Sequence, residues 1–311
     1  MDSPPPTSRL ALATAYAIVC VVWGSTYLFI KLGVAVMPPY LLGGVRFSLA
    51  GPVLLAVCLA TGRRMPRDLA TFGRVTFVGV LLLVVGNGLL NFSEIHLSTG
   101  LAALLVTTFP IWNTLLGMTG PGGERLAPLG WAGLLVALAG VAILVKPFED
   151  GVESSWTGVV AVLLASLSWA MGTVYAKRRL RGVDPIAASA IETAMAGPLM
   201  LGVHLLVERG QPVEWGGQAW LAVGYLAAMG SLVGFTAFVF LTSHMSSSKV
   251  GTYAYVNPVV AVLLGWAVLG ETVTARLALG GITILGGLGL VYVARVREAA
   301  PTLGRIEASE G

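Results

Sequence analysis

The chain has 311 residues, of which 56% are apolar and only 11% charged, and this balance excludes a water-soluble globular domain, because too little polar surface remains to cover one. A formal net charge of +4, with the basic residues scattered and forming no stripe, gives no reason to expect a nucleic acid partner. The excess apolar surface has to face lipid.

A bilayer core of roughly 30 Å takes about 20 helical residues to cross. Stretches of that order follow one another along the chain with short loops between them: Leu10 to Ile30, Tyr40 to Leu59, Val75 to Ser93, Gly100 to Met118, Leu129 to Val145, Gly158 to Tyr175, Ile186 to Val207, Trp220 to Leu241, Val250 to Leu269 and Leu277 to Val293. The expected fold class is an all-α integral membrane protein of ten transmembrane helices. The segment Met1 to Arg9, with Asp2 and Pro4, Pro5 and Pro6, is unlike the basic start of a cleaved signal, so the first span is expected to stay attached. Cys20 and Cys58 fall inside spans and read as small packing residues. No disulfide, metal site or cofactor is expected from them.

Basic residues orient the chain. With the N-terminus in the cytoplasm, the inner side receives Arg9, Arg63, Arg64, Arg67, Arg74, Arg125, Lys177, Arg178, Arg179, Arg181, Lys249, Arg295, Arg297 and Arg305, and the outer side only Lys31, Lys146, Arg209 and Arg276. The positive-inside rule selects this orientation, with both termini cytoplasmic and the chain in the cytoplasmic membrane.

The two halves of the sequence repeat each other at a spacing of about 146 residues. Trp23 pairs with Trp169, Lys31 with Lys177, Pro39 with Pro185, Arg46 with Glu192, and Ala50, Gly51, Pro52 with Ala196, Gly197, Pro198; later Pro110 meets Pro258, and Glu124, Gly133 and Gly140 meet Glu271, Gly280 and Gly287. The expected units are residues 10–145 and 157–295. Each holds five spans, an odd number, so the second must enter the membrane from the opposite face. The loops agree: Arg63, Arg64 and Arg67 follow span two, whereas Glu208, Arg209 and Glu214 follow span seven. Inverted repeats recur in transporters, where one fold is used facing in and facing out by exchanging the conformations of its halves.

Several strings carry a family likeness: WGSTY at Trp23 to Tyr27, GVRF at Gly44 to Phe47, GNG at Gly86 to Gly88, and YAYVNPVVAVLLG at Tyr253 to Gly265. In this order, over nearly the whole chain from about Ala15 to Val293, the sequence resembles the EamA-type branch of the drug/metabolite transporter superfamily, and within it the YedA-like inner-membrane members. The resemblance implies two inverted five-helix halves, a central substrate cavity and export of small metabolites. It implies no particular substrate.

Ionisable and polar residues inside spans usually face a cavity or a partner. Arg46 and Glu192 occupy equivalent depths in opposite halves and are expected to face the central cavity, Glu192 as a site for substrate or for a proton; the alternative is that each satisfies nearby backbone or snorkels. Asn87, Asn91 and Glu94 share one face of span three. The two carboxamides are expected to line the cavity or else to join helices, and Glu94, with His96, to sit at the water interface. Trp23 and Tyr27 on span one, Trp169 on span six, and Tyr253 and Asn257 on span nine complete the expected substrate-binding set, aromatic faces giving a solute contact area at little entropic cost. Pro110 and Pro258 each withhold a hydrogen bond from the carbonyl four residues back and are expected as hinges or as structural kinks.

No metal-ligand cluster, phosphate-cradling loop or activated nucleophile stands out in the short loops, so an enzyme is not expected. The reading is a secondary transporter that exports a small metabolite, such as an amino acid or another amphipathic solute, by alternating access. A passive facilitator or channel is the alternative. Energy from proton exchange and energy from the solute's own gradient remain equally open.

Overall fold

The computed structural model describes residues 8–119, 126–145, 155–245 and 250–307, with side chains described as far as Ala294. Of the residues used above, Met1, Asp2, Pro4, Pro5, Pro6, Glu124, Arg125, Lys146 and Lys249 lie outside the described residues, as do the side chains of Arg295, Arg297 and Arg305.

Among the described residues every regular element is a helix. They are α1 (Arg9–Val34), α2 (Pro39–Ala60), α3 (Leu69–His96), α4 (Thr99–Gly117), α5 (Pro128–Val145), α6 (Trp156–Arg179), α7 (Pro185–Val207), α8 (Gly217–His244), α9 (Tyr253–Leu269) and α10, which runs from Ala275 as an apolar span to Ala294 and on to Glu307. Among the described residues nine are long and apolar enough to cross a bilayer, and α9, at 17 residues, is the shorter tenth. The starts carry ordinary helix signals. Ser8, Asp68, Ser98, Asp184 and Thr274 each accept a hydrogen bond from an amide in the first turn that follows, and Pro39 and Pro185 occupy first-turn positions, where a missing N–H costs nothing. Gly270 ends α9 in the left-handed region (φ 68°), which a residue with a Cβ rarely adopts. Outside the membrane, the Thr71 amide holds the Asp68 carboxyl below the usual carboxylate range.

Three details depart from uninterrupted spans. In α4 the ladder breaks at Thr107 and Thr108, whose amides bond three residues back, and Pro110 lies in the first turn of the second piece. In α9 the irregular turn is at Gly251 and Thr252, and Pro258 sits within the helix beyond it. The third is a π-helical run inside α3, Val80–Asn87, matched by one inside α8, Leu226–Val233. Both ends of the second run lie 146 residues after those of the first (226 − 80 and 233 − 87), so the distortion belongs to the repeat.

The halves interlock by the same rule in each direction. α1 packs on α8 and α9 of the second half, and α6 packs on α3 and α4 of the first; α2 lies along α7 and α5 along α10. Glycine sets both of the last two crossings. A Cβ on Gly51 would come within 2.5 Å of the Ala194 Cα, and one on Gly197 within 2.6 Å of the Ser48 nitrogen. On the other pair, a Cβ on Gly133 would meet the Gly287 carbonyl at 2.6 Å, and one on Gly140 the Ile284 nitrogen at 2.6 Å and the Gly280 carbonyl at 2.9 Å. On α5 and α10 glycine thus faces glycine, on α2 and α7 each glycine faces a small residue of the other helix, and in both pairs backbones approach where no side chain fits.

Helix ends are tied by charged side chains from other helices. Glu208, at the end of α7, accepts from the Tyr40 and Leu41 amides at 3.0 and 3.3 Å and also meets His204 at 2.9 Å. Glu271 accepts from the Thr99 amide at 2.8 Å, and Arg178 donates to the Leu116 carbonyl at 3.2 Å. Glu208→Ala is expected to cost about 2 kcal/mol, because one buried and one part-buried amide lose a charged acceptor; unfolding in a mild detergent titrated with a denaturing one measures it.

Candidate functional site

One cavity of about 470 Å³ lies between the halves. Its walls come from α1, α2, α3 and α4 of the first half and from α6, α7, α8 and α9 of the second. At the end where α1 finishes and α4 begins, the lining residues Tyr27, Ile30, Leu90 and Ala103 are all buried. Toward the opposite end, where α6 finishes and α7 begins, Ser189, Phe235, Phe238 and Tyr253 are only partly buried and Thr173 is exposed. The cavity is sealed at the Lys31 end and accessible toward the Lys177 end.

Of the substrate-binding residues expected from sequence, Trp23, Tyr27, Arg46, Asn87, Trp169, Glu192, Tyr253 and Asn257 line this cavity, as do both prolines, Pro110 and Pro258. Asn91 does not. It is 1% exposed and its amide donates to the Pro39 carbonyl at 3.1 Å, which holds the first turn of α2 against α3. Asn257 is also committed to the framework: with its nitrogen turned to the neighbouring carbonyls, it donates to Cys20 and Tyr253, each at 3.1 Å. Glu94, expected at the water interface, is instead 0% exposed, because the ends of α1 and α4 and the turn before α10 close over it.

The two tryptophans do the same thing from opposite halves. Trp23 Nε1 donates to the Gly230 carbonyl at 3.2 Å, and Trp169 Nε1 to the Leu82 carbonyl at 2.6 Å. Both acceptors sit in the π-helical runs, whose i→i+5 pattern shifts carbonyls out of the ordinary ladder. Asn87 and Ser231 each bond the carbonyl five residues back, Leu82 and Leu226. Gly86 and Gly234 leave room for the indoles, since a Cβ on either would collide with the ring nitrogen. Each first helix of one half is thereby pinned to the distorted third helix of the other.

The remaining polar capacity points inward. Arg46 spends its Nε–H on Ser231 at 3.0 Å and lies 4.7 Å from the Phe47 ring centroid, which leaves four of a guanidinium's five N–H donors. Glu192 has no hydrogen-bond partner among the described residues, and no ion pair joins it to Arg46. Its position is fixed by backbone: a Cβ on Gly79 would come within 2.9 Å of the Glu192 Cα. The Tyr27 and Tyr253 hydroxyls are likewise unbonded among the described residues. Trp23 packs against Phe238 and Tyr253, with ring centroids 5.1 Å away in both cases. The site therefore offers one guanidinium, one carboxylate and phenols between aromatic walls, a set that suits an amphipathic solute.

Sequence reading missed Thr26, Ser189, Thr193, Ser231, Phe235 and Phe238. Thr26 sits inside the string WGSTY, three residues after Trp23, and Ser189 lies three residues before Glu192 and four before Thr193, so the faces of α1 and α7 already implied them. Ser231 and Phe235 carried no comparable signal.

The EamA-like transporter family model matches residues 11–146 and 156–293. The chain is 37% identical over 276 residues to the uncharacterized inner membrane transporter YedA of Escherichia coli strain K12, covering 88% of each protein. It is 26% identical over 306 residues to a probable amino-acid metabolite efflux pump of Salmonella typhimurium, covering 92% of this chain and 97% of that one. A protein of known crystal structure superposes with a TM-score of 0.65 over 94% of this chain and all of the other, at 24% identity, and shares the fold. With two five-helix repeats around one cavity, the chain belongs to the EamA-like transporter family, a multi-pass membrane protein for the transport of small solutes.

Proposed function

We propose that the protein exports a small amphipathic metabolite across the cytoplasmic membrane by alternating access, with both termini in the cytoplasm. The observation that carries this reading is the cavity built by equivalent helices of both halves, with Arg46 and Glu192 inside it and unpaired with each other. Trp23, Tyr27, Asn87, Trp169 and Tyr253 form the walls of the binding site, and Asn257, tied to two carbonyls, holds the α1–α9 face of it in shape. In the orientation set by the basic loops the structure is inward-facing, the state that loads an exported solute. The broken ladder before Pro110 and the turn before Pro258 serve as hinges, since both lie where the cavity wall must change shape.

A zwitterion or an amphipathic amine meets this chemistry, its cationic end at Glu192 and its apolar part on the indoles. The name of the Salmonella relative is consistent with the first of these. Protons are the proposed coupling ion.

The test is a panel of amino acids, amines and organic anions in proteoliposomes. Saturable counterflow of at least one solute, stimulated by a proton gradient and reduced roughly ten-fold or more in Trp23→Ala, is the expected result. Flux that rises in proportion to concentration without saturating would replace the carrier by a passive facilitator.

A further inference from the structure

Among the described residues outside the cavity, one ionisable side chain is buried with no hydrogen bond to hold it. Glu94, in the last turns of α3, is 0% exposed, and neither carboxyl oxygen has a hydrogen-bond partner among the described residues. It sits at the sealed end. Lys31, at the end of α1, does not pair with this carboxyl; its ammonium donates to the main-chain carbonyls of Glu94 and Leu97 at 2.6 and 2.8 Å, tying α1 to the last turn of α3.

The charged and titratable groups around Glu94 are few. From α1 come Lys31 and Tyr27, the latter also a cavity residue, and from the turn between α9 and α10 comes Glu271; all three act on Glu94 electrostatically. α4 contains no titratable residue, nor does α6 before Tyr175. On α2 the Tyr40 ring lies against Gly88, well over a turn away, and His96 on α3 itself packs on Phe92.

An ionised carboxylate in this position would be desolvated and unpaired, whereas the neutral acid is tolerated. Loss of the proton would leave a buried negative charge whose nearest cation is the Lys31 ammonium, now engaged elsewhere. Moving that ammonium onto the carboxylate would release the two carbonyls that fasten α1 to α3.

We infer that Glu94 is a proton site controlling the seal: protonated, it leaves Lys31 on the carbonyls and the Lys31 end closed; deprotonated, it takes Lys31 and lets that end open. The inference rests on the alternating-access reading and adds to it a carboxyl distinct from Glu192. Proton uptake from outside would then accompany closure, and its release would precede opening, so that protons move opposite to the solute.

The experiment needs no solute. Ala103→Cys, in protein with Cys20 and Cys58 replaced by alanine, places a thiol on the sealed wall of the cavity. Its labelling by a membrane-impermeant maleimide from outside, in right-side-out vesicles, is normalised to Gln211→Cys in an exposed loop to remove the thiol's own pH dependence. Between pH 6 and pH 9 the normalised rate is expected to rise by roughly five-fold or more, as a shift from a minor to a major open population requires. In Glu94→Gln it is expected to stay low at every pH, and in Glu192→Gln to keep its rise. A rise that persists in Glu94→Gln, or that disappears in Glu192→Gln instead, overturns the assignment. No rise in the parent overturns it as well, while leaving the transport reading to counterflow. If Glu94→Gln does not reach the membrane, Glu94→Asp decides together with infrared difference spectra: a carboxylic acid carbonyl band lost between those two pH values and shifted by Glu94→Asp is expected, and an unshifted band contradicts it.

Discussion

Gly287→Leu is expected to abolish the folded protein in the membrane. A Cβ at this position already collides with the Ala137 nitrogen and lies 2.6 Å from the Gly133 carbonyl, both main-chain atoms that cannot turn aside. The α5–α10 pair would have to separate along its length, losing the Gly140–Gly280 approach as well, and overpacking of this kind costs at least about 3 kcal/mol. Even Gly287→Ala is expected to lower the midpoint of unfolding in detergent clearly. Gly286→Ala and Gly289→Ala, on the same helix with nothing within 4 Å of an added Cβ, are expected to leave it unchanged. A comparable loss in all three would contradict the crossing as the source of the cost, since alanine is the better helix former and the added Cβ at Gly286 and Gly289 meets nothing.

The largest functional effect is expected from Glu192→Gln. The carboxylate is 8% exposed, faces the cavity and has no protein partner among the described residues, so its charge is available to a solute or a proton. Removing a charge-assisted contact of about 1.5–3 kcal/mol reduces transport roughly ten- to hundred-fold. The sensitivity to a proton gradient separates two roles: a purely solute-binding Glu192 would raise the half-saturation concentration and keep gradient stimulation, whereas a coupling carboxyl would lose the stimulation. Full transport at every pH would remove Glu192 from the site. Arg46→Lys tests the opposite charge. A lysine keeps the cation but not the planar fork that reaches Ser231 and the cavity together, and it is expected to impair uptake of solutes carrying a carboxylate more than of simple amines.

Much of this architecture is legible in the sequence because membrane helices are written in composition. Long apolar runs separated by charged loops locate the spans, and the pairing of Gly133 and Gly140 with Gly280 and Gly287 anticipates helices that meet as glycine faces, although the sequence does not say that they meet each other. The pairing of Trp23 with Trp169 likewise foretold two indoles at the cavity, but not their hydrogen bonds. Those depend on the π-helical runs, and VLLLVVGN and LAAMGSLV share no compositional mark of an i→i+5 ladder. The spacing of Asn87 and Asn91 puts both on one face of α3, yet only Asn87 reaches the cavity. Asn91 lies one regular turn further along the helix, beyond the end of the π run, and is drawn to the Pro39 carbonyl, whose own helix starts with a proline. Glu94 was misplaced for a related reason: distance from the end of a span says how deep a residue lies, but not which other helix ends fold over it.

Everything functional here depends on the two halves threading the bilayer in opposite senses. Arg64 and Arg209 lie in the exposed loops that follow α2 and α7, the equivalent helices of the two halves. As single cysteines in intact cells, Arg209→Cys is expected to react with an impermeant maleimide directly and Arg64→Cys only after the membrane is made permeable. Reaction of both from the same side would contradict the inverted arrangement, and with it a cavity reachable in turn from each compartment.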